Sequence, residues 1–344
     1  MSCKESEADL KSALEAVAAG RPLSAAEAET TFDSFMNGSA SEIQMAGFLV
    51  GLAAKGIEPS EVAGGVRALR KVMVPVAASD PSILVDTAGT GGGGVTTFNI
   101  STAAAIVTAG AGVPVAKHGN RSFTSRSGSA DVLEALGVGI QLTPDRMSEV
   151  LEEAGVVFMF APLLHPAMRH VGPVRRTLGI TTIMNILGPL TNPAGVKRQV
   201  IGVADPTLID LIAGSLLELG HIRALIVHGE PGMDEVSPVA ETRVAEVREG
   251  AVTNYNINPE DFGLEPVEPG EIAGAEPSDN ATIIEGVLRG ESGPPRVAVV
   301  INAAAALFVS GVVNSLGEGA RLAETTIDGG AAMAALERLR SASN

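Results

Sequence analysis

Cysteine, aromatic residues and long apolar runs are all scarce in this chain of 344 residues. The single cysteine, Cys3, excludes disulfides within the chain and metal sites built from several cysteines. With no tryptophan and one tyrosine, the chain offers few aromatic platforms on which nucleic-acid bases could stack. No apolar run reaches membrane-spanning length, and the first residues lack the basic start and apolar centre of a signal peptide. We therefore expect a cytoplasmic protein that binds neither membranes nor nucleic acid.

Acidic side chains are missing from two long central stretches, although the net charge of the whole chain is −16. No Asp or Glu lies between Asp86 and Asp131, and none lies between Glu153 and Asp205. Basic side chains and three of the five histidines lie within these stretches: Lys117, His118, Arg121, Arg126, His165, Arg169, His170, Arg175, Arg176, Lys197 and Arg198. This distribution favours a local site for an anionic ligand in a protein that is acidic elsewhere.

Residues 86–102 (DTAGTGGGGVTTFNIST) join a short apolar strand at residues 83–85 to an alanine-rich helix through a glycine loop. Backbone N–H groups in such a loop and at the helix start can bind phosphate. Gly89, Gly91 and Gly94 satisfy the dinucleotide pattern G-x-G-x-x-G, but the acidic residue expected about 20 positions later is missing. No Gly-Lys-Ser/Thr follows the glycines, which excludes a P-loop. A flexible glycine turn is the alternative interpretation.

The remaining pattern predicts an α/β protein with a small all-helical N-terminal domain and a larger α/β domain whose central sheet is mainly parallel. Residues 1–75 contain helical segments separated by Gly and Pro, with a capping-box pattern at Ser39 and Glu42. From residue 83 onward, strands alternate with helices, as in βα repeats. We place the domain boundary near residue 75, so that residues 76–344 form the α/β domain.

Three further stretches carry candidate chemistry. Residues 117–131 concentrate cations, hydroxyls and the amide of Asn120 after a strand, which suits phosphate; a solvated polar loop is the alternative. In residues 165–176, Arg169 and Arg176 share a helix face with Arg175 beside them; an Arg fork binds a carboxylate, and surface arginines are the alternative. The adjacent Asp234 and Glu235 suit Mg²⁺, or form a solvated acidic turn.

Eight motifs, in this order, resemble anthranilate phosphoribosyltransferases over nearly the full length of the chain. They lie at residues 89–92 (GTGG), 99–102 (NIST), 117–121 (KHGNR), 128–137 (GSADVLEALG), 165–169 (HPAMR), 174–180 (VRRTLGI), 185–193 (NILGPLTNP) and 234–237 (DEVS). The resemblance implies transfer of the phosphoribosyl group of phosphoribosyl pyrophosphate (PRPP) to the amine of anthranilate, releasing pyrophosphate in tryptophan biosynthesis. It also implies a homodimer, two Mg²⁺ per active site, and a helical domain completed by a mid-chain piece near residues 166–185.

Carried over residue by residue, the resemblance implies three sets of contacts. PRPP would contact Gly89, Gly92, Gly93, Thr97, Asn99, Ile100, Ser101, Thr102, Lys117, His118, Gly119, Asn120, Arg121, Ser122, Phe123, Thr124, Ser125 and Ser129. Anthranilate would contact Gly89, Asn120 and Arg175, with His118 and Pro189 lining its path. Mg²⁺ would be held by Ser101, Asp234 and Glu235. We expect no nucleophilic residue and no general base, because the aromatic amine is neutral at pH 7 and positioning with charge stabilisation suffices.

The chain departs from the family pattern at several positions. Gly93 stands where the family has an Asp, which we expect to alter the dependence on Mg²⁺. Phe123 and Thr124 are bulkier than the family's residues, and Arg126 replaces a Lys. Two alternatives stay open: a pyrimidine nucleoside phosphorylase, which has a similar Lys-His-Gly-Asn-Arg loop, and a non-catalytic relative that binds nucleic acid. The carboxylate pair at Asp234 and Glu235 argues against both, and the isoelectric point near 4.8 argues against the second.

Overall fold

The chain is described by a computed structural model that covers residues 3–122 and 126–344. It begins with four helices: α1 (Cys3–Ala18), α2 (Ala25–Met36), α3 (Glu42–Lys55) and α4 (Pro59–Val72). Ser24 and Glu27 form a capping box at the start of α2. The predicted capping box at Ser39 and Glu42 was wrong, because Ser41 and Gln44 cap α3. Ser39 instead belongs to the turn that ends α2, where its amide donates to the carbonyl of Ser34.

The helical core contains Phe32, Phe35 and Phe48, whose rings meet edge to face at centroid distances of 5.4–5.7 Å. Two mid-chain helices, α9 (Met168–Leu178) and α10 (Met184–Leu190), bury their apolar residues in this same core. The chain therefore returns to the N-terminal helices after it has entered the α/β part. The boundary near residue 75 and the mid-chain piece at residues 166–185 stay predictions.

Seven strands form one sheet: β1 (Val85–Gly89), β2 (Val115–Gly119), β3 (Val156–Phe160), β4 (Arg198–Gly202), β5 (Arg223–Gly229), β6 (Thr242–Arg248) and β7 (Ala251–Ile257). Their order is β3-β2-β1-β4-β5-β6-β7. The first five in that order pair in parallel, and β6 and β7 add antiparallel. The predicted mainly parallel sheet is confirmed. The strand expected at residues 83–85 lies further along the chain, and Ile83 is exposed.

Helices cover the sheet: α5 (Ile100–Gly110), α6 (Ser129–Ala135), α7 (Pro144–Ala154), α8 (Ala161–Leu164), α11 (Leu208–Glu218), α12 (Pro277–Leu288), α13 (Pro294–Ser310), α14 (Leu316–Asp328) and α15 (Ala331–Ser343). None of the helices in the described ranges is long and apolar enough to cross a membrane. Strand β1 lies between β2 and β4, so the chain leaves β1 at the point where the strand order reverses. Ligands of open α/β sheets bind at such a switch point, outside the carboxyl ends of the strands.

Candidate active site

Four segments meet at the carboxyl end of the parallel strands. The glycine loop follows β1, the Asn120 loop follows β2, and the turn that holds Asp234 and Glu235 follows β5. Strand β4 ends between them at Gly202. Because parallel strands all end at one edge of the sheet, segments more than 100 residues apart in sequence become neighbours here.

The turn at Asp234 and Glu235 packs directly on glycine backbone. A Cβ added to Gly202 would lie 1.5 Å from the carbonyl oxygen of Asp234, and one added to Gly89 would lie 2.3 Å from Asp234 Oδ2. At Gly229 it would lie 2.6 Å from the carbonyl oxygen of Glu235. No side chain fits at these three positions while the turn stays in place. The ends of β1, β4 and β5 therefore fix where the two carboxylates sit.

Glu235 lies against the first turn of α5. The backbone N–H of Ser101 donates to its carboxylate, and Thr97 Oγ1 lies 3.4 Å from Glu235 Oε2. Burial, followed by the charge of Asp234, raises the pKa of Glu235 well above its usual range, while the nearby Lys117 acts in the opposite direction. Burial also raises the pKa of Asp234. A cation bound between these two half-buried carboxylates would stabilise their charged forms.

The donor set at this turn fits Mg²⁺ better than a transition metal. No cluster of three or more His, Cys, Asp or Glu side chains suited to a metal occurs in residues 3–122 and 126–344. The candidate ligands are thus two carboxylates and the hydroxyl of Ser101, which also lies 3.3 Å from Lys117 Nζ. Mg²⁺ is commonly held by one or two carboxylates, with water and phosphate oxygens completing its shell.

The glycine loop is anchored to this turn by its backbone. The amide of Gly91 donates to Asp234 Oδ2 over 2.8 Å, and the amide of Gly94 donates to the carbonyl of Gly232 over 2.9 Å. Gly91 and Gly92 have φ values of +71° and +80°, a region that favours glycine. A Cβ on Gly93 would lie 2.9 Å from the carbonyl oxygen of Gly232 and 3.6 Å from Asp234 Oδ1. A side chain at residue 93 would therefore point towards the carboxylate pair.

Lys117 is buried beneath the loop at the end of β2. Its ammonium donates to the carbonyl and hydroxyl of Thr87 at 2.5 and 3.3 Å, and it reaches Ser101 at 3.3 Å. Burial lowers the pKa of Lys117, and the carboxylates of Asp86 and Glu235 oppose that shift. Lys117 therefore lies beneath the loop among oxygen atoms of Thr87 and Ser101, shielded from bulk water.

Several of the predicted PRPP residues make contacts within the protein. Asn99 bonds Ser127 and Asn280 through its side chain, and Arg121 Nη1 pairs with Asp131 and Glu134 at 2.6 and 2.7 Å. Ile100 and Thr102 are buried, Gly119 and Ser122 are half-buried, and Ser129 begins α6. Phe123, Thr124 and Ser125 lie outside the described residues. The PRPP contacts of all these residues stay predictions.

The residues expected to meet anthranilate include His118 at the end of β2 and Pro189 in α10. His118 Nε2 and His165 Nε2 are 3.1 Å apart, and a hydrogen bond joins His118 to the backbone of Gly188, next to Pro189 in α10. Burial lowers the pKa of His118 to about 3, with His165 as a further cause, and burial lowers that of His165 to about 4. Both imidazoles are therefore neutral at pH 7, and one of them must donate to the other.

Arg175 is the half-buried cation on this side. It lies on α9 and makes no ion pair within the described residues, and burial lowers its pKa. On the same helix, Arg169 Nε contacts His170 Nε2 at 3.3 Å and Arg176 is exposed. A half-buried guanidinium that has no carboxylate partner is suited to bind one from a ligand. Asn120 is half-buried at the end of β2, with its Oδ1 accepting from the amide of Arg121.

A buried polar network directly behind the site was not predicted from the sequence. Asp86 on β1 accepts hydrogen bonds from the amide of His118 and from the side chains of Asn192 and Gln199. Gln199 and Asn192 are each 1% exposed, and Asp86 is fully buried. The signal was present, because Asp86 is a carboxylate within a strand that must be buried and a buried charge requires partners.

The comparisons with known proteins agree with this architecture. Residues 81–333 match the α/β domain of a glycosyl transferase family, and residues 11–73 match the helical bundle domain of a glycosyl transferase family. The anthranilate phosphoribosyltransferase of Rubrobacter xylanophilus is 50% identical over 330 residues, which cover 96% of either chain.

Solved structures give the same result. That of anthranilate phosphoribosyltransferase from Thermus thermophilus is 42% identical with a TM-score of 0.91, and covers 96% of this chain and 98% of that one. The Saccharomyces cerevisiae enzyme in complex with PRPP and Mg is 29% identical with a TM-score of 0.87, covering 98% of each chain. The structure of the same yeast enzyme in complex with 4-fluoroanthranilate is 27% identical in sequence with a TM-score of 0.86, again covering 98% of each chain. The predicted fold and enzyme class are thus confirmed, and the chain belongs to the anthranilate phosphoribosyltransferase family.

Proposed function

We propose that this protein transfers the phosphoribosyl group of PRPP to the amine of anthranilate, forming N-(5-phosphoribosyl)anthranilate and pyrophosphate in the pathway to tryptophan. The observation that carries the proposal is the carboxylate pair of Asp234 and Glu235, which is held against both the glycine loop and the first turn of α5. This arrangement provides oxygen ligands for Mg²⁺ beside backbone N–H groups that suit phosphate.

The metal end of the cleft is the donor side in this proposal. Ser101, Asp234 and Glu235 would hold Mg²⁺, two ions per active site, and the bound metal would supply positive charge beside the departing pyrophosphate. Gly89, Gly92, Gly93 and Thr97 surround the pyrophosphate, while Lys117 contributes fixed positive charge from beneath the loop. Residues 99–102, 118–125 and Ser129 complete the PRPP contacts. Neutralising the leaving group lets the sugar carbon develop oxocarbenium character before the amine arrives.

The residues assigned to anthranilate form the acceptor side in this proposal. Arg175 orients the carboxylate of anthranilate, because it is a half-buried guanidinium with no ion-pair partner in the described part of the chain. Gly89 and Asn120 meet the same substrate, and His118 and Pro189 line its path. The neutral state of His118 at pH 7 keeps a further cation away from the amine that must attack. No residue acts as nucleophile or general base, so catalysis consists of positioning and charge stabilisation.

The remaining features of the proposal concern the state of the protein in the cell. We infer a homodimer in the cytoplasm that binds neither nucleic acid nor membranes. The family membership supports this inference, as does the net charge of −16 for the absence of nucleic-acid binding. Light scattering coupled to size exclusion measures the mass directly, and a monomeric mass at micromolar concentration would contradict the dimer.

A fluorescence assay tests the activity. The purified protein is mixed with anthranilate, PRPP and MgCl₂, and the loss of anthranilate fluorescence is followed. We expect consumption that depends on both PRPP and Mg²⁺ and that stops when EDTA is added. A pyrimidine nucleoside with inorganic phosphate serves as the comparison reaction. Phosphorolysis of that nucleoside without consumption of anthranilate would refute the proposed function.

A further inference from the structure

A closed circuit of hydrogen bonds links His118 to Pro189, the two residues that line the proposed path of anthranilate. Asp86 Oδ1 accepts from the amide of His118 over 3.2 Å, and Asp86 Oδ2 accepts from Gln199 Nε2, also over 3.2 Å. The same Gln199 nitrogen donates to the carbonyl of Pro189 over 3.0 Å. Gly188, the neighbour of Pro189, bonds back to His118. The circuit thus joins the end of β2 to the end of α10 through two buried side chains.

Burial makes this circuit costly to break. Asp86 is fully buried, and its two oxygens receive three donors, the third being Asn192 Nδ2 at 2.8 Å. Asn192 also donates to the carbonyl of Ala116 over 2.9 Å, so the segment after α10 is attached to β2 as well. A buried acceptor that has lost its donor destabilises the folded state by the full desolvation penalty of that group. Movement of residues 188–192 away from β1 and β2 would leave several such groups unpaired.

Two further contacts connect the circuit to its surroundings. Gln199 Nε2 donates to Asp86 and to Pro189, so Gln199 Oε1 is an acceptor and His221 Nε2, 2.9 Å away, carries the proton. Arg70 Nη2, on α4 of the N-terminal helices, donates to the carbonyl of Leu190 over 3.0 Å. Residues 189 and 190 are therefore held from the sheet by Gln199 and from the helices by Arg70.

We propose that Gln199 is a positioning residue for the acceptor. It acts through the carbonyl of Pro189 and sets the distance between Pro189 and His118. Neither Gln199 nor Arg70 touches substrate in this arrangement. The inference rests on the proposed function, in which anthranilate passes between His118 and Pro189. His118 belongs to the circuit and is assigned to both substrates, but Gln199 itself donates to Pro189, which is assigned to anthranilate alone. Loss of the Gln199 amide should therefore act on the acceptor, because the glycine loop and the Asp234–Glu235 turn that form the rest of the donor side do not contact it.

The test replaces Gln199 by Met, which has similar length and no hydrogen-bonding amide. The variant loses all three side-chain hydrogen bonds of Gln199, but only the bond to the carbonyl of Pro189 reaches the proposed path of anthranilate. We therefore expect Gln199→Met to raise KM for anthranilate about fivefold, the effect of that one bond, and to leave KM for PRPP unchanged. Arg70→Met is the second variant and should give the same selectivity. Arg70 has no ion-pair partner in the described residues, so its loss leaves no carboxylate unpaired.

The matched control is Thr108→Val. Thr108 is fully buried near the end of α5 and donates one hydrogen bond to the carbonyl of Ala104, away from the circuit. Thr108→Val should leave both KM values unchanged even if it lowers the midpoint temperature of thermal unfolding. Equal changes in both KM values, or no change in either, in a folded Gln199→Met protein would overturn the proposal.

Hydrogen exchange separates this inference from the proposed function. In Gln199→Met, peptides that span residues 184–192 should exchange faster than in the parent protein, and in Thr108→Val they should not. Unchanged exchange in Gln199→Met would overturn the positioning role whichever substrates the protein uses. Faster exchange in Gln199→Met, alongside a parent protein that does not consume anthranilate, would refute the proposed function and with it the acceptor's part in this inference.

Discussion

The amide of Gly91 donates a hydrogen bond of 2.8 Å to Asp234 Oδ2, across a sequence separation of 143 residues. Through this bond, the glycine loop and the turn that carries the two carboxylates become one unit. The bond also leaves Asp234 Oδ1 free of the loop, on the side that faces residue 93. A change in the loop backbone should therefore move the carboxylate pair, and the first two predictions concern glycines that pack against the same turn.

Gly202→Ala should destabilise the protein more than most exposed substitutions do. The added Cβ would lie 1.5 Å from the carbonyl oxygen of Asp234, and the obstacle is backbone that cannot rotate away. We expect a loss of about 1–3 kcal/mol in the free energy of unfolding, as for overpacked sites. Urea denaturation measures this loss. Gly270→Ala is the control, since a Cβ there meets no atom within 4 Å, and equal stability of the two variants would contradict the argument.

Gly93→Asp should shift the Mg²⁺ dependence of the rate to lower concentration. A side chain at residue 93 starts 3.6 Å from Asp234 Oδ1, so a carboxylate there joins the pair and adds a negative oxygen ligand. The rate is measured at saturating substrates while MgCl₂ is varied. Gly93→Asn controls for shape without charge, because both side chains must displace the carbonyl of Gly232 to the same extent. Superimposable Mg²⁺ curves for the Asp and Asn variants would refute the prediction.

Arg175→Ala should raise KM for anthranilate by about 10-fold to 100-fold, the range for charge-assisted hydrogen bonds to a carboxylate. KM for PRPP should change little, because the proposed role of Arg175 is to bind the carboxylate of anthranilate. Initial rates over a grid of both substrate concentrations give the two values. Arg176→Ala is the matched control, since Arg176 is the exposed neighbour on the same helix. Similar effects of Arg175→Ala on both substrates would remove Arg175 from the acceptor site.

His165→Gln should make stability less sensitive to acid. In the folded protein the pKa of His165 is about 4, against 6.5 for an ordinary histidine. Between those values only the unfolded state takes up the proton, so stability is lost as pH falls from 6.5 to 4. The variant should reduce that slope by about 1 kcal/mol per pH unit. Chemical denaturation at pH 4.5, 5.5 and 6.5 measures it, and parallel curves for both proteins would contradict the neutral pair.

Much of the site was predictable because its signals are local. The glycine loop, the Lys117 loop and the Asp234–Glu235 turn each follow a strand, and strands of a parallel sheet end at one edge. The order of motifs added the family, and the comparisons confirm it. The acid-free stretches, residues 87–130 and 154–204, contain the glycine loop, Lys117, His118, Asn120 and Arg175, all of which are assigned to anionic substrates in the proposed function.

The rest depends on contacts that no local pattern encodes. Gln199 lies in a strand and gives no sign that its amide joins Asp86 to Pro189. Arg121 pairs with Asp131 and Glu134, which follow it by 10 and 13 residues. No local pattern indicates these two pairs, because they depend on how the chain enters α6. The wrong prediction of a cap at Ser39 has a similar origin. The turn that ends α2 extends beyond Asn37 and Gly38, and the amide of Ser39 donates to the carbonyl of Ser34 within it.

The glycines beneath Asp234 and Glu235 also bear on how this enzyme could be redesigned. The ends of three strands pack against the turn that carries those carboxylates, so the proposed donor end is part of the sheet. The proposed acceptor end combines His118 and Asn120 at the end of β2 with Arg175 on α9 and Pro189 on α10. A library that varies residues 163–190 would therefore explore new acceptor amines while the chemistry of PRPP activation is inherited intact. The same freedom does not exist at residues 89, 202 and 229, where selection for any activity should return glycine.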